Sequence, residues 1–466
     1  MYCAWFVTGV CLLEACGGRS ALEFDAPAMA GSGAFSGASQ SRAGAPGNTG
    51  GAQATGGGGA QAIGGAANSG GVPATGGGQA GGAGALGGAS GGGASGSGAQ
   101  AGIGGVSGSA GSDNQAPLVS VTSGIGYFSC AVLRGGTVQC WGEGLHGALG
   151  AGSSSDSAVP VPVTGLTTAV AAEGGYYHTC AALESGAVEC WGNGSRGVLG
   201  GPPSSSLPVL VAGLSDIVDL DAGAYFTCAL EASGGVRCWG DNRGGELGSS
   251  TVLESALPLA VPGIQSATAL TTGLYHGCVL LSSGHIQCWG LNSEGCLGSG
   301  SVQHQVQGPV DVLDISTAVA LSAGFYFTCA LLRDGSVQCW GHNGEGELGN
   351  GTVTWSPRPV SVLGITDAVA ISAGAHHACA VLSSGSVVCW GMNENGQLAD
   401  GTKISRSQPV PVPGISNALS VSAGTSHSCA ILKTGAISCW GWNYHGCLGD
   451  GTFMERSTPV SVVGFR

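Results

Sequence analysis

The 466-residue sequence is short of charge, and of positive charge above all. Only 9 % of its residues are charged, with 13 Lys+Arg against 27 Asp+Glu and a net charge of −14. Lys403 and Lys433 are its only lysines. A protein that grips a phosphate backbone needs a basic patch, so no nucleic acid is expected as a partner. Long hydrophobic runs are also missing. The apolar stretch at residues 3–13 is too short to cross a bilayer. No G-x-x-x-x-G-K-[ST] occurs, and no carboxylate pair or Ser/His/Asp set recurs at a readable spacing. Catalytic residues, metal ligands and cofactors are therefore not expected. Glycine is abundant, at 92 residues, but without the period of three that collagen requires.

The chain divides into three parts: residues 1–16, 17–116 and 117–466. The apolar stretch at residues 3–13 suits the core of a signal peptide. It runs into Leu13-Glu14-Ala15-Cys16-Gly17-Gly18, which resembles a bacterial lipobox and implies lipidation at Cys16. The alternative is a signal peptide cleaved nearby without lipid. Either route exports the chain, and membrane contact would be through the lipid alone. From Pro27 to Ala116 the residues are mainly Gly, Ala, Ser, Gln and Thr, with Arg42 and Asp113 the only charges. Such a segment has too little apolar surface to offset its ordering entropy. It is expected to be a disordered tether with an r.m.s. span of roughly 50 Å.

From Pro117 onward a Cys, nine residues and a Cys-Trp-Gly recur seven times, about 50 residues apart. The pairs are Cys130/Cys140, Cys180/Cys190, Cys228/Cys238, Cys278/Cys288, Cys329/Cys339, Cys379/Cys389 and Cys429/Cys439. A Gly stands six residues after each first Cys, as at Gly335. A three-residue hairpin loop needs a left-handed residue at its last position. That loop places the two cysteines opposite each other across an antiparallel ladder, within reach of a disulfide. Seven intra-hairpin disulfides follow, each worth ~2–3 kcal/mol by chain entropy. Zinc sites favour two to four residues between paired cysteines, so metal is the weaker reading, and unpaired buried thiols are the other alternative. Oxidised pairs imply an exported protein. Cys296 and Cys447, in EGCLG and HGCLG of two non-adjacent copies, are expected to be free thiols in loops.

Each unit offers about four short strands, and four strands repeated seven times is the arithmetic of a seven-bladed all-β propeller. The unit resembles the regulator-of-chromosome-condensation repeat. Its G-x-x-H-T pattern is matched at residues 175–179, and its W-G-x-N and G-x-L-G at residues 340–349. The likeness covers nearly all of residues 117–466. The domain begins at Leu118-Val119-Ser120-Val121 and ends on a Pro-Val segment at residues 458–464. One blade is therefore expected to be assembled from both termini, which would leave no open sheet edge.

The Trp after each second Cys reads as core between blades: Trp141, Trp191, Trp239, Trp289, Trp340, Trp390 and Trp440. Two residues before each first Cys, Phe and His interchange, which fits a packed and hydrogen-bonded role rather than catalysis. One residue further out stand Tyr127, Tyr177, Tyr225, Tyr275, Tyr326, His376 and Ser426. Repetition about a propeller axis would set them in a ring, either as padding between blades or as a recognition surface. The residue after Trp-Gly varies freely: Glu143, Asn193, Asp241, Leu291, His342, Met392 and Trp442. Varied side chains on a fixed scaffold suit a binding face. Tyr127, Tyr177, Tyr225, Tyr275, Tyr326, His376 and Trp442 are the candidate binding residues.

The leading expectation is an exported, monomeric, non-enzymatic scaffold that binds a protein or glycan. The resemblance implies, as an alternative, guanine-nucleotide exchange on a small GTPase with chromatin binding. The acidic charge and the cysteine pattern oppose that alternative. A propeller enzyme such as a glycan lyase is the third reading, and it would need acids clustered at one end of the channel.

Overall fold

The computed structural model describes residues 118–249 and 252–465. Cys16 and the segments expected to be a signal peptide and a tether lie outside the described residues. Seven sheets of four antiparallel strands follow one another along the chain. The fold is the expected seven-bladed β-propeller.

Blade 5 shows how the repeat builds one sheet. Its strands are Ala318–Ala323, Phe327–Leu332, Val337–Gly341 and Ser356–Ser361. The second and third form the hairpin read from sequence. Leu332 N–H donates to the Ser336 carbonyl and Gly335 N–H to that of Leu332, closing a three-residue loop with Gly335 at φ +82°. Alternation from the hydrogen-bonded Leu332/Ser336 pair puts Cys329 opposite Cys339 at a non-hydrogen-bonded site, where strands come closest. Their Cα atoms are 4.0 Å apart and the disulfide is formed.

The other six bridges repeat this register. They link Cys130 to Cys140, Cys180 to Cys190, Cys228 to Cys238, Cys278 to Cys288, Cys379 to Cys389 and Cys429 to Cys439. The Cα separations are 4.0–4.1 Å, below the ~4.5 Å usual for facing residues of this kind. These cysteines are therefore neither metal ligands nor unpaired thiols. Seven disulfides point to an oxidising compartment. Every outer strand carries a proline, as at Pro359 and Pro459, and proline withholds a donor from a free sheet edge.

The core lies between blades. Each repeat Trp is fully buried against the disulfide face of the preceding blade. Its indole Nε1 donates to a loop carbonyl there, Trp191 to Ala148 at 2.8 Å and Trp340 to Cys296 at 2.8 Å. Ring closure differs from the expectation. No blade is shared between the termini: Leu118–Ser123 pairs within the first sheet and Arg456–Ser461 within the last. The residues of blade 1 already supply four strands in order, so the two ends meet through the same side-by-side packing as every other seam. Trp141 donates to the Cys447 carbonyl at 2.9 Å, and Val121, Ala131 and Trp141 share a core with Cys429, Ile437 and Leu448.

The Phe/His position is buried at every seam. Each His Nε2 meets a hydroxyl of the next blade: His178 with Thr227, His276 with Thr328, His377 with Ser428 and His427 with Ser129, at 2.8–3.0 Å. Burial lowers all four imidazoles, His178 and His377 to about 3 and His276 and His427 to about 4. An unfolded His titrates near 6.5. Their depressed folded values give stability that is present above about pH 6.5 and lost as pH falls toward 4. Replacing the four with Phe, which Phe128, Phe226 and Phe327 show the site accepts, is expected to flatten melting temperature between pH 6.5 and 4. A fall as steep as in the parent would mean that these imidazoles do not drive acid unfolding.

Candidate functional site

In an antiparallel blade the loop after the inner strand and the loop after the third strand emerge at the same end. The Tyr position lies in the first loop and the variable position in the second. The N–H of Glu143, Asn193, Asp241, Leu291, His342, Met392 and Trp442 donates to the carbonyl of Tyr127, Tyr177, Tyr225, Tyr275, Tyr326, His376 and Ser426 respectively, at 2.8–2.9 Å. The two sets read separately from sequence thus form one set of adjacent pairs on one face. All seven residues at the Tyr position are half-buried. The bridge cysteines take no part in this face. Cys140, Cys190, Cys238, Cys288, Cys339, Cys389 and Cys439 are fully buried one residue before each repeat Trp, where they staple the hairpin strands.

Ring contacts join neighbouring side chains at several places on the face. Tyr127 packs against Trp442 across the closing seam, the tilted rings having centroids 4.4 Å apart. Tyr176 touches Tyr177 at 4.6 Å and Tyr225 at 6.2 Å. Tyr275 meets Tyr326 at 6.4 Å, and Phe325 meets His376 at 5.4 Å. Burial raises the phenols of Tyr127, Tyr177, Tyr225 and Tyr326, and takes Tyr275 to about 12, so all of them present neutral O–H groups at physiological pH. Tyr176 and Phe325 were not visible as candidates, because Gly126, Ala224, Leu274, Ala375 and Thr425 hold that position elsewhere. The loops between third and outer strands also expose Tyr444, Phe453, Met454, Trp355 and Leu253 at the same end.

Acids and histidines sit among the aromatics. His342 Nδ1 and His376 Nδ1 lie 2.8 and 3.1 Å from Glu347 Oε1. Burial alone would raise the Glu347 carboxyl, but these two hydrogen bonds and the His342 charge hold it at about 2. Hydrogen bonding to Glu347 raises His342 against the effect of burial. Glu246 holds the matching place in blade 3 without imidazole partners, and burial takes it to about 7. His445 Nδ1 lies 2.6 Å from Asp156 Oδ2, next to Tyr127 and Trp442.

Cys296 and Cys447 are free thiols, as expected. Both are fully buried, and each donates to a loop carbonyl five residues back, that of Leu291 and that of Trp442. Burial raises both thiols, which makes them unreactive packing groups.

The inner strands line the axis with one polar residue per blade: Thr122, Glu173, Asp221, Thr271, Ser322, Ser372 and Ser422. Most accept a hydrogen bond from the next inner strand, as Ser422 Oγ does from Ser123 N–H at 2.7 Å and Asp221 Oδ2 from Thr272 N–H at 2.8 Å. The three acids Glu173, Asp219 and Asp221 gather here. Burial raises Asp219 to about 7, helped by Asp221, and raises Asp221 to about 6 against its backbone N–H partners. A raised carboxyl contributes stability below its unfolded value near 4 and loses it as pH rises through the folded value. These acids therefore oppose the histidines between about pH 4 and 7. Glu173 accepts from Thr122 and Asp221 from Thr272 N–H across neighbouring seams, whereas Asp219 accepts only from the N–H of its own neighbour Leu220 among the described contacts.

Among known proteins, the RCC1-like domain matches residues 203–466, and the regulator of chromosome condensation (RCC1) repeat matches residues 135–182 and again 168–198. No curated protein matches the chain in sequence. Solved propellers match in shape. Human WBSCR16 shares 20 % identity at a TM-score of 0.64, over 70 % of this chain and 94 % of its own. Prp20p from Saccharomyces cerevisiae, characterised for binding to Gsp1p and histones, shares 21 % at 0.62, over 73 % and 87 %. The same yeast RCC1 bound to Kap60 shares 20 % at 0.63, over 73 % and 85 %. Identities this low speak for the fold alone. The family match spans more than half of the chain and the blades repeat its motifs, so the protein belongs to the RCC1-like domain family.

Proposed function

We propose that this chain is an exported binding scaffold that holds a protein or glycan partner on the aromatic end of its propeller, without catalysing a reaction. The observation that carries the reading is the face itself. Tyr127, Tyr177, Tyr225, Tyr275 and Tyr326 stand half-buried at one repeat position, with His376 at the same position of blade 6 and Trp442 packed against Tyr127. Tyrosine offers large, rigid, amphipathic area at low entropic cost. The stapled blades hold these side chains in place before binding, which reduces the ordering cost of association. Seven disulfides support work outside a reducing cytoplasm. The lipobox-like segment ending at Cys16 supports a membrane-anchored form.

The test uses the full oxidised chain as bait for surface and secreted proteins, and in parallel on a glycan array. Changing Tyr177, Tyr225, Tyr275 and Tyr326 together to Ala is expected to weaken a captured partner at least ~30-fold, the equivalent of about 2 kcal/mol from hot-spot residues. Unchanged capture by a folded variant would remove this face from the reading. Accelerated nucleotide release from a small GTPase would favour the exchange-factor alternative instead.

A further inference from the structure

One seam of the seven carries a group of side chains that the other six lack. In blade 5, His342 and Glu347 lie five residues apart in the loop following Val337–Gly341. Asn343 clamps that loop, its Oδ1 accepting from Leu348 N–H and its Nδ2 donating to the Thr354 carbonyl, both at 2.9 Å. His376 comes across the seam from blade 6. Corresponding trios at other seams are Met392/Gln397/Ser426, Leu291/Cys296/Tyr326 and Glu143/Ala148/Tyr177. The propeller therefore closes its seams without a His/Glu/His set, and folding does not account for this one.

The geometry is that of a ligand set. Both imidazole Nδ1 atoms point at one oxygen, Glu347 Oε1, at 2.8 and 3.1 Å, and the three donor atoms lie within 4.8 Å of one another. Ligand atoms about a tetrahedral zinc ion are roughly 3.3 Å apart, given bonds of ~2.0–2.1 Å. A small outward relaxation would therefore admit an ion where the two N–H protons now sit. Outer groups hold the donors in position. Glu347 is fully buried, and its Oε2 accepts the Glu345 N–H at 2.9 Å, which leaves Oε1 facing both rings. Glu294 of blade 4 brings Oε2 to 3.8 Å from His342 Nε2, a carboxylate behind a ligand imidazole. Both rings remain partly exposed, His342 by 24 % and His376 by 31 %, so an ion there would have an entry path and a free coordination position.

We propose that His342 Nδ1, Glu347 Oε1 and His376 Nδ1 bind one divalent transition-metal ion of the zinc class at the seam of blades 5 and 6, with a coordination position open to the aromatic face. Two imidazoles and a carboxylate suit zinc and its neighbours rather than calcium or magnesium, which prefer all-oxygen sets. The site stands on its own residues, whatever partner the aromatic face takes.

The test is titration of the chelator-treated full chain with Co2+ alone, followed by displacement with Zn2+. One Co2+ per chain is expected, with the visible absorption of a four- or five-coordinate ion that zinc abolishes. Three variants replace each ligand with a residue another blade carries at that position: His342→Met, Glu347→Gln and His376→Tyr. Each is expected to keep the far-ultraviolet spectrum and melting temperature near the parent's. Each should weaken binding by at least the ~10–100-fold that loss of an outer-shell partner costs, and Glu294→Gln by about 10-fold. His445→Ala, in the other surface histidine–acid group, should leave the affinity unchanged. Absence of stoichiometric Co2+ uptake would overturn the proposal. So would undiminished uptake by folded His342→Met/His376→Tyr, which would assign the ion to other groups and leave this trio as a hydrogen-bonded clasp.

Discussion

Replacing Trp340 with alanine is expected to destabilise the oxidised domain by about 3–5 kcal/mol, the range for removing a buried aromatic from a tight core. The indole is fully buried among Cys278, Cys288, Leu297 and Val312 of blade 4. Its Nε1 is also the donor to the Cys296 carbonyl at 2.8 Å, so the truncation leaves a buried acceptor unsatisfied as well as a cavity. Trp340→Phe keeps most of the volume but not the donor and should cost less. The same argument holds at Trp390, whose Nε1 donates to the Glu347 carbonyl at the next seam, so Trp390→Ala should show a similar loss. Denaturant unfolding without reductant is the measurement. A loss below about 1 kcal/mol at both positions would mean that blades are held together elsewhere.

The second large effect lies one residue further on. Gly341, like the glycine after every repeat Trp, has positive φ, here +104°. An added Cβ would stand 2.4 Å from the Tyr326 carbonyl oxygen and 2.8 Å from the Phe327 Cα. Gly341→Ala is expected to cost about 3 kcal/mol. Roughly 1–2 of that comes from left-handed backbone, and the rest from displacing the carbonyl that accepts the His342 N–H. Gly165 has φ +82° but nothing within 4 Å of its Cβ, so Gly165→Ala should lose only the backbone contribution. Equal losses at the two positions would refute the steric part. The contact explains why Trp-Gly recurs as a pair: the Trp fills a seam, and the Gly lets the Tyr-bearing loop pass close over it.

The blades were legible because their chemistry is local. A cysteine, nine residues, a cysteine and a glycine six residues after the first define a hairpin register within a dozen residues, and repetition confirms it seven times. The phase of blade closure was not legible. The sequence pattern has no mark for which strand starts a sheet, and the pairing of Leu118–Ser123 with its own hairpin decides it. The aromatic face was half legible. Tyr127 through Tyr326 stand at one repeat position, whereas Tyr176 and Phe325 occupy a position of mixed size and gain meaning only from the side chain across the seam. His342, Glu347 and His376 are the extreme case. Reading a repeat compares equivalent positions, and this trio is a departure from the repeat spanning two blades. His376 lies 29 residues from Glu347, brought close by the lateral packing of one sheet on the next.

Thiol counting by mass spectrometry tests whether seven hairpin disulfides staple the propeller for an oxidising compartment. The purified chain would be alkylated first folded and then in denaturant, without reductant, and digested for non-reduced peptide mapping. All fourteen cysteines of the repeat pairs are expected to be oxidised, each linked to its partner ten residues away. Cys296 and Cys447 are expected to resist labelling until the domain unfolds. Repeat cysteines that label as free thiols in protein taken from its native compartment, or links between different hairpins, would refute the stapled propeller.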